Sequence, residues 1–132
     1  CAMVQRPALA RVDDRVLVAM MGNVHRYGDR RMPVPWVLGV VAAAISVVLA
    51  GVSGRWVEAG AAGVAVGLLL VWLVIYLRVS APINRQLTAA ADLAAEATLN
   101  TRALQRNWDK VITARAALQG LAVAALCTAL VI

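Results

Sequence analysis

Arg115 and Asn84 are the residues whose types and positions most invite chemistry, because their neighbours do not explain either one. Arg115 lies inside the last apolar run, where a guanidinium costs a few kcal/mol at mid-span and less nearer an interface, which its long side chain can reach by snorkelling. Trp108, Ile112, Arg115 and Gln119 share one face at helical spacing. Turned inward, Arg115 with Gln119 one turn behind it offers a fixed fork of donors to an anionic or carbonyl-bearing ligand, or to an internal carboxylate. Turned outward, Arg115 is a snorkelling arginine and nothing more. Compensating charge would come from Asp109, Asp13 or Asp14, since no span interior holds an acid. Asn84 follows Pro82, and proline disfavours a continuing helix, so Asn84 is expected at a break just past a span.

His25 is the only histidine, and that excludes a pair of axial imidazoles for a haem, a His-rich metal cage and an HExxH site. It would serve as a general base near neutral pH, although a lone histidine in a basic amphipathic segment is more simply a solvated surface residue. GxSxG, Walker-type and GxGxxG patterns are absent, which leaves hydrolase, NTPase and dinucleotide-enzyme readings without local support. No span carries the acid of a proton-coupled carrier. Cys1 and Cys127 sit in no CxxC and beside no histidine, so they read as small apolar residues rather than a metal or redox pair. Neither a cofactor nor a metal is expected.

The elements that must position these residues are written in the composition. Of 132 residues, 62% are hydrophobic and only 15% charged, far from a soluble mixture and in favour of one membrane domain. Between 34 and 77 the only charges are Arg55 and Glu58. The net charge of +6 therefore flanks apolar runs instead of lining a solvated, aromatic-studded face, which argues for juxtamembrane arginines and against nucleic acid.

An amphipathic helix is expected over 8–27, with Leu9, Val12, Val16, Met20 and Val24 recurring at steps of three or four. Gly28 to Pro33 supplies a helix stop and a positive cluster. A span over 34–52 follows, with Trp36 as an interfacial anchor, then a turn at Ser53-Gly54-Arg55 and a second span over 57–78. Within that span Gly63-x-x-x-Gly67 offers a flat face for close packing, and Trp72 with Tyr76 reads as an interfacial anchor or a pocket wall. A polar connecting helix is expected over 84–99, with Asp92 and Glu96 on a solvated face. Asn100 would cap a long final helix over 101–132 whose span begins at about 111.

The fold class is thus all-α, a transmembrane helical bundle with three visible spans. Counting positive charges puts the N-terminal region and the connection on the cytoplasmic side and the C-terminus outside. Three spans make an awkward bundle, so a four-helix parent whose first helix is mostly absent is expected. The missing initiator Met points to a trimmed chain more than to a lipidated Cys1, which would place residue 1 outside. One Lys against twelve Arg, with heavy Ala and Val usage, suits a GC-rich bacterial genome and hence a bacterial inner membrane.

Pro82-Ile83-Asn84 after a span, a polar connection, Trp108, then Arg115 seven residues on and a final apolar helix together resemble the anthrone oxygenase-like family of small four-helix membrane proteins. The resemblance covers the second half well and the first half loosely. It implies cofactor-independent oxygenation of an electron-rich polycyclic phenol, such as an anthrone, to the quinone. Such a reaction needs a base, donors for the substrate oxyanion, and an apolar cavity admitting O2. The resemblance would make Asn84 and Arg115 the oxyanion donors and Trp108 a stacking wall; chemistry alone adds His25 as base. The competing expectation, preferred here, is an accessory or structural subunit that packs against a larger membrane complex or a second copy of itself. Asn84, Trp108 and Arg115 would then only hold helices together. A closed apolar cavity beside them would favour the first, solid packing the second.

Overall fold

The computed structural model describes residues 4–92 and 98–132. Cys1, Glu96 and the 93–97 part of the expected 84–99 helix lie outside the described residues. Those described are almost entirely helical and contain no strand. In chain order the helices are α1 (Gln5–Leu9), α2 (Asp14–Arg31), α3 (Pro33–Val52), α4 (Trp56–Ile75), α5 (Ala81–Asp92) and α6 (Thr98–Val131), with a π-helical turn at Tyr76–Ser80. The chain is an all-α membrane protein. Three helical stretches are long and apolar enough to cross a bilayer: Pro33–Val52, one within Trp56–Asp92 and one within Thr101–Val131. A run of this length rises about 30 Å, the thickness of the hydrocarbon layer.

Local chemistry accounts for the element ends. The single helix expected over 8–27 is instead two, because the Asp13 carboxylate accepts the Val16 N–H at 2.8 Å and caps a fresh start at Asp14. Pro33 opens α3 in the first turn, where its missing N–H is of no consequence. α3 stops in a left-handed glycine motif. Gly54 has φ +72°, its N–H meets the Gly51 carbonyl at 3.1 Å, and the Arg55 N–H meets that of Ala50 at 2.9 Å. Arg55 then pairs with Glu58 in the first turn of α4, where a carboxylate also meets the helix dipole favourably.

Pro82 does not break the chain where a break is expected. The helix runs on from Trp56 to Asp92, and the adjustment is the π turn just before the proline, in which the Ala81 N–H reaches back to the Tyr76 carbonyl. The α ladder restarts at Ala81, which puts Pro82 in the first turn after the π adjustment, where its missing N–H and its ring are best tolerated. Asn100 likewise falls inside α6, which begins at Thr98, and not at its cap.

The chain forms two compact units, one from Cys1–Arg31 with Ile75–Ala114, the other from Met32–Val74 with Arg115–Ile132. In the first, Leu17, Val18, Met21, Gly22 and His25 form the buried face of α2. Leu9, Leu17 and Met21 make one core cluster; Ile83, Leu87, Trp108 and Ile112 make another. Full burial of such side chains stabilises by about 1.5–3 kcal/mol each. α2 meets α5 most closely at Gly22, where an added Cβ would lie 2.2 Å from the Ala91 Cβ and 3.1 Å from the Leu87 carbonyl oxygen. The stripe Val16, Met20 and Val24 is left exposed on α2.

In the second unit every buried core residue is an alanine: Ala43, Ala50, Ala62, Ala65 and Ala122. Apart from these contacts its helices turn large apolar side chains outward, as lipid-facing helices do. The flat face expected at Gly63 and Gly67 is not the one used. A Cβ at either would meet nothing within 4 Å, whereas Ala62, one position from Gly63, and Ala65, midway between the two glycines, are fully buried.

Candidate functional site

The polar side chains of the first unit converge on Asp29, on the last turn of α2. Its Oδ1 accepts a hydrogen bond from the Tyr76 hydroxyl at 2.8 Å and another from the Asn84 Nδ2 at 2.9 Å. The π turn carries Tyr76 and α5 carries Asn84, so one carboxylate ties α2 to both segments. Hydrogen bonds to an ionised acceptor are shorter and stronger than those between neutral groups.

One turn earlier on α2, His25 is 5% exposed and meets the Trp108 ring edge-on, with centroids 5.6 Å apart and planes at 62°. The solvated histidine expected from the sequence is therefore a core residue, because the buried face of α2 passes through Leu17, Met21 and position 25. Trp108 packs with Ile83, Leu87 and Ile112. Asn84, Gln105, Thr101 and Ser80 are buried in the same unit. Three of these groups keep unused capacity: the Asn84 Oδ1, the Gln105 Oε1 and the Trp108 Nε1 are buried without a hydrogen-bond partner. Such groups carry a desolvation cost that a polar guest would relieve.

Arg115 and Gln119 belong to the second unit. The Arg115 guanidinium stands over the Trp72 ring at 4.5 Å, and Trp72 stacks on Trp36 at 5.8 Å and 22°. A cation over an indole face is attracted by the ring quadrupole, more strongly when water is excluded. Trp36 and Trp72, expected as separate interfacial anchors, are thus joined in one stack with a cation on it. Gln119, one turn on, is exposed.

The three acids expected to compensate Arg115 all have partners in the first unit. Asp14 pairs with Arg102, Asp109 lies 3.7 Å from Arg6 and accepts the Gln105 amide at 3.0 Å, and Asp13 caps α2. The acid that organises a buried site, Asp29, is absent from that expectation. Its signal was available: it follows His25 by four positions on a helix, which puts both on one face. Tyr76 carried a weaker signal, because the π turn that positions it is not legible in the pattern.

No family model, curated protein or solved structure matches the chain. Its site is therefore read from chemistry. His25 and Asp29, one turn apart on α2, are an imidazole and a carboxylate adequate in type for acid–base work; Trp108 lies against the first and the Tyr76 hydroxyl donates to the second. No group of three metal-ligating side chains exists among the described residues. A shallow apolar groove runs elsewhere, on α3, lined by Val41, Ala44, Ile45, Val48 and Leu49.

Proposed function

We propose that this chain is an accessory or structural subunit of the bacterial inner membrane, with its basic segments cytoplasmic and its C-terminus outside. The observation that carries this reading is the packing of the chemically conspicuous residues against one another. His25 lies against Trp108, Asn84 is bound to Asp29, and Trp108 is inside the apolar cluster. Groups spent on holding helices together are what a scaffold requires. The apolar side chains that the second unit leaves exposed provide ample surface for lipid and for neighbouring membrane helices, of another subunit or a second copy. The test is the size of the native particle in a mild detergent, by light scattering of the purified full chain and of membranes solubilised directly. A particle well above one chain plus its micelle is expected; a strict monomer in both preparations would defeat the proposal.

A second reading has its own support in the unused Asn84 Oδ1 and Trp108 Nε1. A phenol hydroxyl can donate to the first and accept from the second, which suits the anthrone-type oxygenation that the sequence resemblance implies. In that reaction O2 supplies one oxygen to the substrate carbon, the other leaves as water, and the protein supplies the base and the oxyanion donors. Purified protein mixed with an anthrone should then consume O2 without added metal or flavin. Asn84→Leu should abolish the uptake. Rates equal to the buffer background remove this reading.

A further inference from the structure

We propose that Trp36, Trp72 and Arg115 form a site for the phosphate of one phospholipid headgroup at one end of the second unit, a role that rests on the membrane reading of α3, α4 and α6. The register of the three helices places the site. Ala43 on α3, Ala65 on α4 and Ala122 on α6 are each at most 2% exposed. Seven residues from these alanines lie Trp36, Trp72 and Arg115, counted backward on α3 and α6 and forward on α4, which returns from the turn at Gly54. Seven residues make nearly two turns, about 10 Å, with a drift of only about 20°. Each large side chain therefore stands on the same inward face as its alanine.

What alanine closes, two indoles and a guanidinium open, because the spacing of helix axes follows the size of the side chains between them. Trp36 stacks on Trp72, and the Arg115 guanidinium stands over Trp72 at 4.5 Å. The polar atoms these three residues bring are all donors. The Trp36 Nε1 is buried without a hydrogen-bond partner, and a guanidinium carries five N–H groups in a fixed fork. A buried donor left unmade carries a desolvation cost that a guest with acceptor oxygens relieves. The one carboxylate of the unit, Glu58, stands in the first turn of α4, far from Trp72, and pairs with Arg55. Donors together with a positive charge suit an anionic acceptor.

Position along the spans says which anion. Trp36 follows Arg31 by five residues and Trp72 precedes Arg78 by six. Both rings thus lie roughly 8–9 Å inside the arginines that border the apolar runs, comparable with the interfacial layer of a bilayer, about 5–8 Å on each side. The anionic acceptor that a bilayer offers at this depth is the phosphodiester of a lipid, and basic gaps between membrane helices take such headgroups. A guanidinium fork matches phosphate geometry, and a hydrogen bond to an ionised acceptor is stronger than one to a neutral group.

The test uses the purified full chain, stripped of lipid in a nonionic detergent, with bound species counted by native mass spectrometry. Three probes separate the parts of the ligand: dioleoyl phosphatidylglycerol, dioleoylglycerol with the same chains and no phosphate, and glycerol 3-phosphate with no chains. One phosphatidylglycerol per chain is expected, with the other two probes bound at least about tenfold more weakly. Equal retention of dioleoylglycerol would mean apolar contact alone and overturns the proposal. Glycerol 3-phosphate bound as tightly as the lipid would assign the site to a soluble phosphate ester and overturns the lipid. Arg115→Gln should weaken phosphatidylglycerol about tenfold or more, and so should Trp36→Phe, which keeps a stacked ring and deletes only the N–H. The second variant decides if the first does not fold, and unchanged retention in it sinks the site. Arg55→Gln, at the other end of the unit, should leave retention as it was; a loss equal to that of Arg115→Gln would reduce the effect to net charge and refute it.

Discussion

The Tyr76 hydroxyl donates to the Asp29 carboxylate at 2.8 Å across 47 positions of sequence. The contact exists because a π turn carries Tyr76 at the point where the chain prepares for Pro82. Tyr76→Phe keeps the ring and deletes only the donor. A hydrogen bond to a charged group is worth about 1.5–3 kcal/mol, so unfolding in mixed micelles should show a loss of that order. In a double-mutant cycle with Asp29→Asn the two effects should couple by at least about 0.5 kcal/mol. Strict additivity would show that the bond does not form in the folded protein in micelles.

Gly22 and Gly28 lie on the same helix and should respond oppositely to alanine. At Gly22 the new methyl would meet the Ala91 Cβ at 2.2 Å, a clash that only separation of α2 and α5 relieves. Overpacking of this kind costs about 1–3 kcal/mol. At Gly28 nothing lies within 4 Å, so alanine gains the helix-propensity difference of about 0.5–1 kcal/mol. Thermal denaturation of both variants decides, and Ala91→Gly should rescue Gly22→Ala. Equal behaviour of the two glycines would mean that the crossing is looser than described.

Arg115 and Trp72 form the one cation–π pair of the second unit. Arg115→Gln should destabilise by about 0.5–2 kcal/mol in the native background. The same change should do far less once Trp72→Leu has removed the ring. A loss that persists at full size in the Trp72→Leu background would show that the ring contributes nothing to holding the cation.

Alanine is the packing currency of the second unit, and this separates neighbouring positions sharply. Ala62→Leu or Ala65→Leu forces a larger side chain into a fully buried contact and should cost about 1–3 kcal/mol. Gly63→Ala and Gly67→Ala meet open space and should not destabilise the isolated chain; like Gly28→Ala they gain the helix-propensity difference. Measured stabilities in the reverse order would move the packing face to the glycines.

Much of the architecture was legible because it follows from a solvent-partition rule. Nineteen or so uncharged residues in a row have little choice but to be helical and lipid-immersed, so α3, α4 and the second half of α6 follow from composition. The site was half legible. His25, Asn84 and Trp108 were recognisable as residue types, but their burial together depends on which face of α2 turns inward, and two apolar faces competed. The stripe with the cleaner periodicity, Val16, Met20 and Val24, is the one left outside.

The amino-acid sequence by itself determined that this protein is helical, that three of its segments suit a bilayer, and where its arginines gather, because these depend on hydropathy and charge summed along the chain. Only tertiary structure decided that Asp29 joins Tyr76 and Asn84, that Gly22 admits Ala91, and that Pro82 extends a helix it was expected to end. Each of those rests on the rotation of one helix about its own axis or on a one-residue shift of register. Neither quantity has a signature in linear pattern, because it is set by the side chains that a helix meets and not by those it carries.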